Sequence, residues 1–255
     1  MFSALTFNMQ NGQVWDEGNP DDPAVSLNET LAFLRTQDAD VIFLQEVERG
    51  YDGGRQIEPP PHYLWLKERL GGYDAVFGYP QPNPQEIPFG LGLAIFSKVP
   101  LRDFQRVDLP PPDVTFEFGG VTRVPSQRLL ISAGVEIEGR PVRLLNTHWQ
   151  AFFMINASSN EHRAQRDLVE SELRKYAGAV LLGGDFNSAP GETVIEQFER
   201  AGFHAAQHRE ITWRRMPYVL DHLFHNDALH LENCQVIPTL ASDHHAVRAE
   251  YSFAK

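Results

Sequence analysis

Leu181-Leu182-Gly183-Gly184-Asp185-Phe186-Asn187-Ser188-Ala189-Pro190 is the stretch on which the reading of this chain turns. The apolar run Ala179 to Leu182 stops at two glycines, and a carboxylate, a carboxamide and a proline follow. This is the pattern of a buried strand that ends at the rim of a sheet. Residues two apart on an extended chain point the same way, so Asp185 and Asn187 are expected to face one spot. Gly183 and Gly184 would let other atoms come close. Polar residues where a strand meets a sheet rim are where α/β proteins place chemistry. The same residues would equally serve a plain strand-to-turn junction, because Asp and Asn are favoured in turns. The rest of the chain has to decide.

Working outward, the pattern repeats. Phe2 to Met9 reads as an apolar strand ending in polar residues. Ser26 and Glu29 make a capping box for a helix to about Thr36, with Leu27, Leu31 and Leu34 as its stripe. Asp40 to Glu46 is then a buried strand ending in a carboxylate, so strand, helix and strand form one crossover unit. His62 to Leu70 reads as a short helix, and Tyr73 to Phe77 and Leu91 to Phe96 as strands. The proline-rich segments Gly78 to Gly90 and Pro110 to Pro125 are expected to be irregular. Arg128 to Ile137 and Val142 to His148 flank a turn at Glu138-Gly139 and form a hairpin. Ser158 and Glu161 make a second capping box, predicted to start a helix running to Tyr176. Glu192 to Arg200 follows as a helix, and Tyr218 to Phe224, His230 to Ile237 and His245 to Phe253 as strands. Without an internal repeat or a linker, the whole of 1–255 reads as one domain of sheets covered by helices.

Composition narrows the classes. At 255 residues, with 42% hydrophobic and 22% charged, the chain can bury a core unaided. A lone cysteine, Cys234, excludes an internal disulfide and a cysteine-rich metal site, and fits a reducing, cytoplasmic setting. Met1 to Phe7 reads as neither a signal peptide nor an anchor, and no apolar stretch approaches the roughly 20 residues of a membrane span. The formal charge of −12 argues against a strongly basic face for duplex binding. A monomer is expected.

Polar residues collect at the strand ends: Asn8, Glu46, Asn146 to His148, Asp185, Asn187, Asp221, Asp243 and His244. Glu46, Asp243 and the amide oxygen of Asn8 are hard oxygen donors of the kind that suits Mg²⁺ or Mn²⁺. Asp185 and Asn187 can orient an attacking water. His244 can pair with Asp221, whose carboxylate would fix the imidazole and stabilise its cation, and His148 can donate to a phosphoryl oxygen or leaving group. The set suits metal-assisted phosphoester hydrolysis. Taken singly, each residue has a plainer use: an ion pair for Glu46, a turn for Asn8, a core position for His148, and a solvated turn for Ser242 to His245. The adjacent His244 and His245 would serve a transition metal as readily as catalysis. Taken together, five strand ends would each need the right polar group by accident.

With these residues in view, the chain resembles the endonuclease/exonuclease/phosphatase superfamily. Leu5-Thr6-Phe7-Asn8, Asp40 to Val47, Asn146-Thr147-His148, Gly184-Asp185-Phe186-Asn187, Leu220 to Phe224 and Ser242 to Val247 match its motifs in order. The resemblance implies an α+β fold, a four-layer α/β/β/α sandwich of two mostly antiparallel sheets with the site at one end. It implies Mg²⁺ or Mn²⁺ held around Asn8, Glu46 and Asp243, and His244 as the main catalytic histidine with Asp221 as its partner. It further implies Asp185 and Asn187 near the nucleophilic water and His148 near the phosphate. Arg128 stands where some family nucleases place a phosphate-contacting arginine. Gln10 stands where some branches carry an aspartate.

The implied function is hydrolysis of a phosphoester, with a phosphodiester of nucleic acid or nucleotide ranked ahead of a lipid or sugar phosphate. An inactive phospholigand-binding or scaffold protein is the reading from another class. A long groove flanked by Arg55, Arg123 and Arg128 would favour a polymer, and a closed aromatic bowl a small head group. Trp149-Gln150-Ala151-Phe152-Phe153 is expected to pack rather than to bind.

Overall fold

The protein was analysed as a computed structural model, which describes residues 1–48, 56–86 and 91–254. Residues 49–55 and 87–90, and with them Arg55, lie outside the described residues. The first half of the chain runs β1 (Phe2–Asn8), α1 (Leu27–Gln37), β2 (Val41–Gln45), α2 (Pro61–Arg69), β3 (Asp74–Gly78), β4 (Leu93–Ser97) and β5 (Arg102–Asp108). A small hairpin, β6 (Phe116–Phe118) and β7 (Val121–Arg123), precedes β8 (Leu129–Ile137) and β9 (Arg140–His148). Then come α3 (Ala164–Leu173), β10 (Ala179–Asp185), α4 (Val194–Arg200), β11 (Phe203–Ala205), β12 (Asp221–Asn226), β13 (Leu229–Ile237) and β14 (Ala246–Phe253).

Two six-stranded sheets result, ordered β13-β14-β1-β2-β4-β3 and β11-β12-β10-β9-β8-β5. Each is antiparallel except for one central parallel pair, β1 with β2 and β9 with β10. Each parallel pair is joined by a crossover containing a helix, α1 or α3, as the geometry of parallel pairing demands. The central strands carry apolar residues on both faces because both faces are covered. Phe43, Ile95, Ile131, Leu144, Leu181 and Leu223 fill the space between the sheets. Phe7, Ile42 and Leu44 pack under Leu31, Leu34 and Leu66 of α1 and α2. Leu145, Val180 and Leu182 pack under Val169, Leu173 and Phe198 of α3 and α4. The result is the four-layer α/β/β/α sandwich. Among the described residues, no helix is long and apolar enough to cross a membrane.

The two glycines of the opening stretch have separate reasons. A Cβ on Gly183 would stand 2.5 Å from the Phe43 ring of the facing sheet, and one on Gly184 would stand 2.5 Å from the Thr147 carbonyl oxygen of the neighbouring strand. They make room for sheet packing, not for a ligand.

Neither capping box is formed as expected: Ser26 stands at the N-cap of α1 without a side-chain cap hydrogen bond, and Ser158 does not cap α3. Ser158 and Ser159 give their hydroxyls to the carboxylate of Glu192 instead, and α3 begins at Ala164. A short turn thus ties the loop after β9 to the loop after β10. The Pro110 to Pro125 segment, expected to be irregular, holds the β6–β7 hairpin. Strands β5 and β11 have no counterpart in the sequence reading. β5 is exposed along nearly its whole length and shows no apolar alternation, and β11 has only three residues.

Candidate active site

Asn8, Glu46, His148 and Asp185 stand at or just beyond the C-terminal ends of β1, β2, β9 and β10. Arg128, Asp221 and the Asp243-His244 pair stand at or before the N-terminal ends of β8, β12 and β14, which run antiparallel to those strands. One rim therefore receives all of them. Asp185 and Asn187 reach it differently from the expected alternation. Strand β10 stops at Asp185, and Asn187 adopts a left-handed φ of 46°. The Asn187 N–H donates to Asp185 Oδ1 at 2.9 Å, and its Nδ2 donates to the Trp149 carbonyl at 3.0 Å. This is turn chemistry in the service of a site: both residues line one pocket of about 400 Å³.

Asp185 is the hub. Its Oδ2 accepts from Asn8 Nδ2 at 2.9 Å, lies 3.4 Å from His148 Nε2 and 3.9 Å from His244 Nε2. Burial, and then the charge of Asp221, push its carboxyl up to about 7. Asp221 is fully buried, and its backbone N–H is held by Thr212 Oγ1 at 3.0 Å. Its Oδ2 meets His244 Nδ1 at 2.8 Å. Burial alone would lower His244, but the charges of Asp221, Asp185 and Asp243 outweigh it and raise the imidazole to about 10. His244 is thus held as a cation whose Nε2 faces the pocket. His148 is the opposite case. Burial, with the charges of Arg128 and His244, holds it well below the usual range, so it stays neutral.

Asn8 turns its Nδ2 to Glu46 Oε1 at 3.1 Å as well as to Asp185, while its Oδ1 accepts the Gln10 N–H at 3.0 Å. The oxygen that was expected to face a metal is therefore occupied by the backbone. Glu46 is raised by burial and by the charge of Asp243. Asp243 is gripped through one oxygen: Oδ2 accepts from Arg215 Nε at 2.6 Å and from Trp213 Nε1 at 3.2 Å. Its Oδ1 remains toward His244 Nε2, 3.9 Å away. Arg128 is buried, lines the pocket, and has an NH1 without a hydrogen-bond partner. Burial lowers it to about 10, against the pull of Glu46, Asp185 and Glu86, and it remains a cation at neutral pH.

Two sets of residues can be weighed for a metal. Asp185, Asp221 and His244 bring ligand atoms within 4.8 Å of one another. That compactness comes from the Asp221–His244 hydrogen bond, and a protonated imidazole has no lone pair to offer. Glu46 and Asp243 are buried or half-buried carboxylates facing the same pocket, and Asp243 keeps one oxygen free of protein donors. Hard oxygens of this kind fit a hard divalent cation. His245 takes no part: its Nδ1 faces Arg214 and the Thr239 N–H, so the two adjacent histidines do not converge on one ion.

Sequence reasoning missed Trp213 and Arg215, which hold Asp243, and Phe116 and Phe118, which line the pocket. All four lie in short or irregular segments with no apolar period to mark them. The aromatic loop after β9 divides. Trp149 and Phe152 are buried, Trp149 edge-on against Phe186 at 4.8 Å. Phe153 lines the pocket and packs against Trp213 at 5.6 Å.

Similar architectures occur in solved structures. An endonuclease/exonuclease/phosphatase from Beutenbergia cavernae superposes with a TM-score of 0.73 at 19% identity, over 99% of this chain and 72% of that one. The human Nocturnin catalytic domain with bound sulfate anion gives 0.70 at 19% identity, covering 99% and 94%. A mannosyl-6-phosphatase from Bacteroides thetaiotaomicron gives 0.65 at 14% identity, covering 99% and 100%. At these identities the likeness is one of fold. None of the curated proteins matches the chain in sequence. The sequence model of one family, however, matches residues 5–244. With strand-end polar residues gathered on a single rim of a four-layer sandwich and that match over nearly the whole length, the chain belongs to the Endonuclease/Exonuclease/phosphatase family, whose members hydrolyse phosphoesters.

Proposed function

We propose that this protein is a divalent-metal-dependent phosphoester hydrolase, using Mg²⁺ or Mn²⁺, that acts on a compact substrate rather than along a nucleic-acid duplex. The observation that carries the reading is the Asp221–His244–Asp185 alignment, which opens into the same pocket as Glu46, Asp243 and Arg128. Glu46 and Asp243 would hold the cation, and Asn8 would join them as an oxygen ligand only with its amide turned over. When bound, the cation supplies charge neutralisation at a phosphoryl oxygen.

The chain's own groups divide the remaining work. Arg128, with its unpaired NH1, donates to the phosphate. Asp185, poised near neutrality, takes the proton of a water that Asn187 helps to orient. The His244 imidazolium, kept charged by Asp221, donates from Nε2 to a phosphoryl oxygen. Neutral His148 donates a hydrogen bond from Nε2 and does not act as a strong acid. Preorganised charge of this kind is the main resource for phosphoryl transfer.

A compact substrate is favoured over the nucleic-acid ranking that the resemblance carried. Among the described residues, Arg128 is the one Lys or Arg lining the pocket, and Arg123 sits on β7 outside it. A polymer backbone needs a track of cations. Hydrolysis of bis-p-nitrophenyl phosphate with Mg²⁺ or Mn²⁺, and its loss in excess chelator, tests the reading. Asp185→Asn and His244→Ala should each slow turnover by roughly 10²–10⁴-fold. Turnover by both variants at the unmutated rate would overturn the mechanism.

A further inference from the structure

The pocket has two unlike parts. Its floor carries the charged groups described above. Its walls are mostly apolar: Phe116 and Phe118, with Glu117 between them, come from hairpin β6–β7, Phe153, Met154 and Ile155 from the turn after β9, and Trp213 from the segment before β12. The turn is instructive. Its neighbours Trp149 and Phe152 go into the core, whereas Met154 is left 63% exposed at the pocket. Phe118 is also 45% exposed there. Large apolar side chains kept wet at the mouth of a charged site forgo burial that each could gain elsewhere. They regain it when a ligand covers them.

The walls are also held in place. Trp213 is fixed by its hydrogen bond to Asp243, and Phe153 packs on both Trp213 and Tyr218. Behind the hairpin, the buried Glu86 accepts the Gln127 N–H at 2.7 Å, and the Val124 N–H donates to the Gln85 carbonyl at 3.0 Å. At about 400 Å³ the space has room for a phosphoryl group with a ring-sized group beside it.

The geometry points to a substrate class: phosphoesters whose alcohol portion carries a compact aromatic or apolar group, received by Phe116, Phe118, Phe153, Met154, Ile155 and Trp213. The inference rests on the phosphate-binding floor proposed above and adds which esters that floor serves. Sugar and polyol phosphates would set most of their hydroxyls against these aromatic and aliphatic side chains, with Glu117 and Gln150 as the polar groups beside them. A nucleic-acid strand would find Arg128 without companion cations.

The test separates the two readings by using binding rather than turnover. In the presence of Mg²⁺, 2-phenylethylphosphonate and 2-hydroxyethylphosphonate share a phosphonate head and differ in the group beyond it. Calorimetry should give at least tenfold tighter binding for the phenyl compound. The ratio should fall below threefold in a Phe116→Ser/Met154→Ser double variant. Because it is a ratio within one preparation, partial unfolding of the variant does not mimic the effect. A ratio below tenfold in the unmutated protein overturns the inference, as does a ratio that survives both substitutions. If neither phosphonate binds and bis-p-nitrophenyl phosphate is not hydrolysed, the floor itself has been misread and both readings fall together. If that ester is hydrolysed while the phosphonates bind equally, only the substrate class falls.

Discussion

Arg215 shows how much of the site depends on a residue outside the strand-end pattern. Its Nε donates to Asp243 at 2.6 Å, and its other nitrogens reach Asp21 and the Pro20 carbonyl. The guanidinium thus commits one Asp243 oxygen and ties the loop around residue 20 to the site. On the proposed cation role of Asp243, Arg215→Ala should weaken Mg²⁺ activation by about 10–100-fold, as losing a partner of a metal ligand commonly does. Mg²⁺ titration of the rate in chelator-buffered solution measures this, and an unchanged activation curve would remove Asp243 from the cation site. His244 illustrates a second point at this scale. The sequence shows a histidine just before a strand, but only its hydrogen bond to Asp221 and the carboxylates around it make it a cation.

At the scale of elements, the junction between the sheets lies directly under the site. Asn146 on β9 is fully buried. Its Nδ2 donates to the Leu44 and Ala94 carbonyls of the opposite sheet at 2.9 Å each, and its Oδ1 accepts from Gln45 Nε2 at 2.7 Å. The sequence reading grouped this residue with the catalytic rim, whereas the fold uses it as a cross-sheet tie. Asn146→Ala leaves the Gln45 Nε2 with Thr6 Oγ1 as its remaining partner, takes a donor from two buried carbonyls, and should cost about 1–3 kcal/mol in urea denaturation. Gly183 supports the same junction from the apolar side. Gly183→Ala drives a methyl into the Phe43 ring and should destabilise by about 1–3 kcal/mol through overpacking. Melting temperatures unaffected by either change would mean that the sheets adjust to one another more easily than close packing allows.

At the scale of the whole molecule, buried titratable groups link stability to pH, and their signs differ. Asp185 and Glu46, raised by burial, bind protons more readily folded than unfolded. Their contribution favours the folded state in acid and declines as pH rises through their folded values. His225 works in the other sense. Burial lowers it, with its ring edge-on to the buried Tyr251 at 5.3 Å. Below about 6.5, the ordinary histidine value, the unfolded chain takes up a proton that the folded chain refuses. Stability from this residue is therefore complete above that pH and is lost as pH falls. His225→Phe removes the linkage. Relative to the unmutated protein, the variant should gain stability as pH falls from about 7 to about 5. A constant difference across that range, from denaturation curves at several pH values, would count against a buried neutral His225.

The sequence by itself determined the central strands, because apolar runs such as Val41 to Leu44 and Ala179 to Leu182 suit a sheet covered on both faces. It determined that strand ends carry acids, amides and histidines, because their types and order are written in the chain. It did not determine which atoms meet. The turn at Asn187, the grip of Arg215 on Asp243, the inward tie of Asn146 and the apolar wall from Phe116 to Trp213 all join segments far apart in sequence. They include a short hairpin and irregular loops that carry no period to read. Local pattern reports what a residue covers along its own element. The charge state of His244 and the shape of the pocket are set by what other elements bring against them, and that was decided only when the two sheets packed.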